Sequence, residues 1–245
     1  MEQLNQIDQH ADLSRLRDFD ARIKLICTIS LVVVIALLRE LEPLLVLMAF
    51  VLALLGLSSI PLSHIAKSYA LALPFVGFAA LTLFLTNGID AALVMFVRIS
   101  ASVLLLLTLV STTPFYKMLG AFRALHMPKV MANLILFTYR FIFLFLDEME
   151  RMRIARIARG FNGGRNLLDK RAFNTLGATI GMTFVRANVR ATNIYDALLT
   201  RGYSGDVRTL ERSRVGAKDA LLAAGFAGIG ILAILLETKV MTWTL

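Results

Sequence analysis

Two tripeptides in this chain set an arginine directly before a glycine where a helical pattern ends: Ala158-Arg159-Gly160 and Thr200-Arg201-Gly202. Glycine readily takes the left-handed backbone conformation that stops a helix, so each arginine is expected to project where its helix finishes. A guanidinium in that place is suited to a bidentate, charge-assisted bond with a carboxylate in a partner's groove. Two such ends suggest two such grooves, as a dimeric partner would offer. The same pattern also serves as a common helix ending, and basic amphipathic helices often lie on anionic lipid. The tripeptides alone leave these alternatives open.

Two helices must present those ends. Asp147 to Gly160 reads as an amphipathic helix, with Asp147, Glu148 and Glu150 at its start and arginines at its end, a charge order that suits the helix dipole. A second helix is expected over roughly Thr183 to Arg201. At about 100° per residue, Arg186, Arg190, Asn193 and Arg201 share one arc, while Phe184, Ala191, Tyr195 and Leu198 line another. Arg186 and Arg190 are therefore candidates for a supporting basic face.

The rest of the chain is largely hydrocarbon. Hydrophobic residues make up 58% of it, above the ~45–50% of ordinary soluble domains, and the formal net charge is +9. A basic soluble domain would point to nucleic acid. Here the charge alternates with long apolar runs, so nucleic acid is not expected, and membrane lipid and acidic protein surfaces are the better partners. Five spans are expected: Ile23 to Leu38, Leu44 to Ile60, Ile65 to Leu85 with a kink at Pro74, Ala91 to about Val110, and Ala220 to Leu236. The first is short against the ~20 residues that a bilayer needs. Arg39, Glu42 and Pro43 should make the first turn, Asn87-Gly88 another, and Gly225, Gly228 and Gly230 should let the last span approach its neighbours closely. The polar first twenty-odd residues carry no apolar run ahead of a cleavage site, so the first span should act as the insertion signal.

Basic residues fall in every second connection, apart from Arg39, which is expected to put the amino terminus and the basic segment in the cytoplasm of a multi-pass inner-membrane protein. Val130 to Leu146 is apolar enough to cross, yet both its flanks are basic. It is therefore expected to lie along or dip into the cytoplasmic face, a sixth ordinary span being the alternative. The resulting fold class is an all-α integral membrane protein of about five transmembrane helices plus a cytoplasmic coupling domain of amphipathic helices. Its expected segments are 1-22 (cytoplasmic), 23-113 (four spans), 114-218 (coupling domain) and 219-245 (final span).

Little else in the sequence could do chemistry. No Gly-x-x-x-x-Gly-Lys-Ser/Thr loop is present, and Gly160 to Gly164 lacks the lysine and hydroxyl that would cradle phosphate. His10, His64 and His126 stand in different segments, and only His10 has carboxylates nearby, Asp8 and Asp12, on what reads as a solvated tail. Cys27 stands alone. No catalytic residue, metal ligand or cofactor is therefore expected. Arg98, deep in the fourth span, either snorkels to the outer surface or pairs with a carboxylate. A membrane enzyme acting on lipid or isoprenoid phosphates remains a rival reading, short of the acids that would hold magnesium; a conventional permease or membrane scaffold is another.

Order and spacing of several short motifs then resemble a known family. The two X-Arg-X tripeptides are similar to the paired coupling motifs of the transmembrane T-component of energy-coupling factor (ECF) transporters. Ile7-Asp8, Ser14-Arg15-Leu16 and Asp20-Ala21-Arg22-Ile23-Lys24 resemble its CbiQ branch, as do Leu125-His126-Met127-Pro128, Tyr139-Arg140-Phe141-Ile142 and Asp147-Glu148. The resemblance implies a non-catalytic subunit linking a substrate-capture membrane subunit (CbiM-like, with or without a small CbiN-like one) to two cytoplasmic ABC ATPases. It implies that Arg159 and Arg201 each dock into an ATPase groove, and that the transported substrate is cobalt(II), with nickel or a vitamin as the alternative.

Overall fold

A computed structural model of the chain describes residues 19–58, 62–125, 127–160, 170–205 and 216–243. The described residues form helices only: α1 (Ala21–Leu37), α2 (Leu41–Leu57), α3 (Leu62–Asn87), α4 (Ile89–Thr112), α5 (Phe115–Ala124), α6 (Lys129–Ala158), α7 (Lys170–Thr200) and α8 (Ala217–Trp243). The protein is an all-α membrane protein. By length and composition, α3, α4, α6 and α8 can each cross a bilayer, and α2 is a shorter apolar helix.

Most boundaries follow from local chemistry. Asp20 caps α1, its carboxylate accepting from the Arg22 amide at 3.0 Å. Pro43 lies inside the first turn of α2 rather than in the turn before it, where its missing N–H would have had no intrahelical partner anyway. Gly88, at φ 91°, makes the turn between α3 and α4. The helix α3 continues through Pro74.

The chain divides into two compact units, one of residues 2–125 with 211–245 and one of residues 126–210. In the first, Leu31, Ile35, Leu44, Leu47, Val51, Leu105 and Ala233 form a core drawn from α1, α2, α4 and α8. Of the glycines in α8, Gly230 is buried against Leu31 of α1, whereas Gly225 and Gly228 have no neighbour at the Cβ position. Among the described residues, the close approach that the three permit is made at Gly230. The helix α5, grouped by sequence with the basic segment, belongs to this unit, where it packs on α1 and buries Leu119 and Ala121.

Polar bonds tie the unit at both ends. At one, the Asp20 amide donates to Asp219 Oδ1 at 2.7 Å and Lys24 Nζ donates to the Thr112 carbonyl at 3.4 Å. At the other, the Arg39 amide donates to Glu237 Oε1 at 2.8 Å, and Arg98 Nη2 donates to the Leu38 carbonyl. So α1 and α8 run parallel, with α4 antiparallel to both. Arg98 pairs with a backbone carbonyl at the end of α1, which is neither the free snorkel nor the carboxylate pair weighed from sequence. A Leu38 carbonyl in an apolar setting would otherwise lack this charged donor.

Replacing Arg98 by Met should remove a charge-assisted bond worth about 1.5–3 kcal/mol. The thermal midpoint of the detergent-solubilised chain should fall by roughly 5 °C, while Arg98→Lys should fall less. An unchanged midpoint for the Met variant would show that the bond contributes nothing.

Candidate functional site

In the unit of residues 126–210, one helix replaces two expected segments. Val130–Leu146 and Asp147–Gly160 are continuous as α6, 30 residues long. Polarity changes at Leu146-Asp147, but no glycine, proline or cap stands there, and extending a helix costs far less than nucleating a new one. Asp147, Glu148 and Glu150 therefore sit mid-helix, so the dipole role expected for them falls away. Glu148 forms an ion pair with Arg186 of α7, and Glu150 lies 3.6 Å from Arg153. Likewise α7 begins at Lys170, thirteen residues before the expected start at Thr183, running through Gly177 and Gly181.

The two expected tips share one geometry. Gly160 and Gly202 have φ of 80° and 77°. The Gly160 amide donates to the Ile157 carbonyl at 2.9 Å and the Gly202 amide to the Leu199 carbonyl at 3.0 Å; Tyr203 then closes on Leu198 at 3.0 Å. In α7 this is the paired-bond ending that satisfies the last carbonyls, with Gly202 as the left-handed residue. Arg159 and Arg201 are thus the half-in residues at the ends of α6 and α7. Ala158, Arg159, Gly160, Thr200, Arg201 and Gly202 are all exposed.

The contacts between α6 and α7 run in opposite order along the two helices. Arg156 Nη1 donates to Thr179 Oγ1 at 2.9 Å, Glu148 meets Arg186, and Asn133 Nδ2 donates to the Gly205 carbonyl at 2.8 Å and to Tyr203 at 3.3 Å. The helices are antiparallel, so their ends point in opposite directions. Asn133 lies beside the Arg201 end, and Arg159 lies at the far end of the same helix. At 1.5 Å rise per residue the two arginines are ~40 Å apart.

Arg186 and Arg190 are separated in role by this packing. Arg186 is held by Glu148. Arg190 lines a cleft of ≈ 270 Å³ with Phe141, Phe145, Phe184 and Ala191 among others, so the pair does not act as a single free basic face. Asn133 interrupts the apolar first half of α6. It is 6% exposed, and its side chain fixes the chain just beyond α7. Its signal was an amide in hydrocarbon together with Gly205, which has φ 89°.

Among the described residues no three His, Cys, Asp or Glu side chains gather as a metal site. His10, His126, Asp8, Asp12 and the Gly163-Gly164 loop lie outside the described residues, and so does the side chain of His64.

Residues 13–211 match the CbiQ family, described as cobalt transport protein. The chain belongs to the CbiQ family. It is 26% identical over 226 residues to an uncharacterized protein of Methanocaldococcus jannaschii, covering 83% of this chain and 76% of that one. It is 32% identical over 120 residues to the cobalt transport protein CbiQ of Rhodobacter capsulatus, covering 49% of this chain and 47% of the relative. Over 101 residues it is 30% identical to the cobalt transport protein CbiQ of Salmonella typhimurium, covering 41% and 43% of the two chains. The chain thus aligns with about half the length of those two, and with 45% of a second uncharacterized M. jannaschii protein. The family and the long apolar helices agree on a membrane protein.

Gly202→Ala should strain the end of α7, because a Cβ at φ 77° costs about 1 kcal/mol or more. Hydrogen exchange at the Tyr203 amide should quicken by about fivefold. Unchanged exchange would mean that this helix end is not fixed by its glycine.

Proposed function

We propose that this CbiQ-family chain is the transmembrane coupling subunit of an ECF-type ABC importer, passing ATP-driven motion from two cytoplasmic ATPases to a substrate-capture membrane subunit. The observation that carries the reading is the pair of exposed, geometrically matched arginines at opposite ends of one antiparallel helix pair. A separation of ~40 Å is too large for both to enter one pocket, and it suits one contact on each of two partner subunits. A helix-tip guanidinium with no fold of its own around it is a docking element rather than a reaction centre. Each would bond a carboxylate in a groove of an ATPase.

Charge supports the same assignment. The arginines of α6 and α7, together with Arg15, Arg17 and Arg22 ahead of the first span, support a cytoplasmic location for the basic unit. Because α6 has the length and composition to cross, the interfacial placement of its first half rests on its basic flanks. The proposed substrate is cobalt(II), after the two relatives named as cobalt transport proteins, with a CbiM-like subunit as its receiver. Glu148 and Glu150 are engaged by arginines, which counts against their use as a magnesium site in a phosphate enzyme.

Co-purification from native membranes tests the reading. Arg159→Glu and Arg201→Glu should each weaken one contact by about 2–4 kcal/mol, tenfold or more in affinity, leaving one ATPase held by the other tip. The double variant should retain none. Wild-type ATPase recovery in the double variant would sink the proposal.

A further inference from the structure

The unit of residues 2–125 with 211–245 buries three charged side chains at one end: Asp20 at 4% exposure, Lys24 at 6% and Asp219 at 5%. Asp219 stands in the first turn of α8 and uses both oxygens. Oδ2 accepts from the Gly216 amide at 2.8 Å, closing its own helix start, and Oδ1 accepts from the Asp20 amide at 2.7 Å. Lys24, one turn into α1, donates to the carbonyl of Thr112, the last residue of α4. Asp20 Oδ2 is buried with no hydrogen-bond partner, a cost that packing alone does not require.

The place of this cluster in the chain gives it a role. The polypeptide leaves this unit after α4 and α5 and re-enters it before α8. The cluster fastens the start of α8 and the end of α4 to the same turn of α1. At their other ends the same three helices are tied again, by Arg39 to Glu237 and by Arg98 to Leu38. Held at both ends, α1, α4 and α8 cannot shear independently.

We infer that Asp219, with Asp20 and Lys24, is the joint through which displacement of the 126–210 unit becomes a rigid-body movement of α1, α4 and α8. The inference rests on the coupling function proposed above. These are positioning residues: they join α1, α4 and α8, and they fix how much of a push at the crossings reaches the spans.

The test uses the complete complex in proteoliposomes and three readouts: ATPase retention, ATP hydrolysis and uptake of radioactive Co(II). Asp219→Ala should keep the ATPases and their hydrolysis but lower Co(II) taken up per ATP by at least fivefold. Asp219→Asn gives up the Gly216 bond but keeps one oxygen for the Asp20 amide, the bond that joins α8 to α1, and should restore the ratio to within about twofold of wild type. A merely structural role would lower hydrolysis and uptake together and leave their ratio alone. An unchanged ratio in the Ala variant overturns the joint.

A second measurement stands apart from the ATPases. In the chain alone in nanodiscs, with Cys27→Ala, spin labels at the exposed positions Ile26 and Leu221 report the α1–α8 distance. Asp219→Ala should widen that distribution at least twofold. An unchanged width overturns the joint whether or not ATPases bind. A widened distribution together with a wild-type chain that holds no ATPase overturns only the coupling function.

Discussion

An α-helix leaves four N–H groups unpaired at its start and four carbonyls at its end, and hydrocarbon offers them no water. In the unit of residues 2–125 with 211–245, charged side chains bond the backbone at the helix ends. Asp20 and Asp219 close the starts of α1 and α8, and Asp219 also takes the Asp20 amide. Arg98 reaches the carbonyl of Leu38 at the end of α1, and Glu237 accepts from the next amide along. Each of these bonds satisfies a backbone group, and those of Asp219 to Asp20, Arg98 to Leu38 and Glu237 to Arg39 also join two helices, tying α1, α4 and α8 into one body.

The ends of α6 and α7 solve the same problem differently. There glycines at positive φ turn the backbone onto its own last carbonyls, so no side chain is consumed in the closing. Arg159 and Arg201 are left exposed beside a fixed turn, with most of their rotamer freedom confined to the side chain itself. Arg186, on the same helix as Arg201, illustrates the contrast: it is committed to Glu148 and serves the pairing of α6 with α7. The antiparallel arrangement then sets the two remaining tips at opposite ends, where one rigid pair can address two separate surfaces.

Much of this was legible in the residues. Apolar length gave the long helices, Gly88 the turn between α3 and α4, and the Arg-Gly tripeptides the ends of α6 and α7. The break expected at Leu146-Asp147 failed because a change in polarity does not stop a helix; only backbone chemistry does, and none is present there. Arg98 was visible as a charge in a span, but its partner is a carbonyl sixty residues away, which no local pattern encodes. The bond from Asn133 to Gly205 and the Asp20–Asp219 contact were hidden for the same reason. Gly225 and Gly228 permit a close approach that no described neighbour makes, since small residues allow such packing without causing it.

In the coupling function proposed for this protein, each arginine tip addresses its own ATPase. A photo-crosslinking residue placed at positions 159 and 201 of one chain, within the assembled complex, tests it most directly. The account predicts a product carrying two ATPase chains on one copy of this protein, with each single-site version carrying one. A double-site chain that never captures more than one ATPase, or captures none, would contradict it.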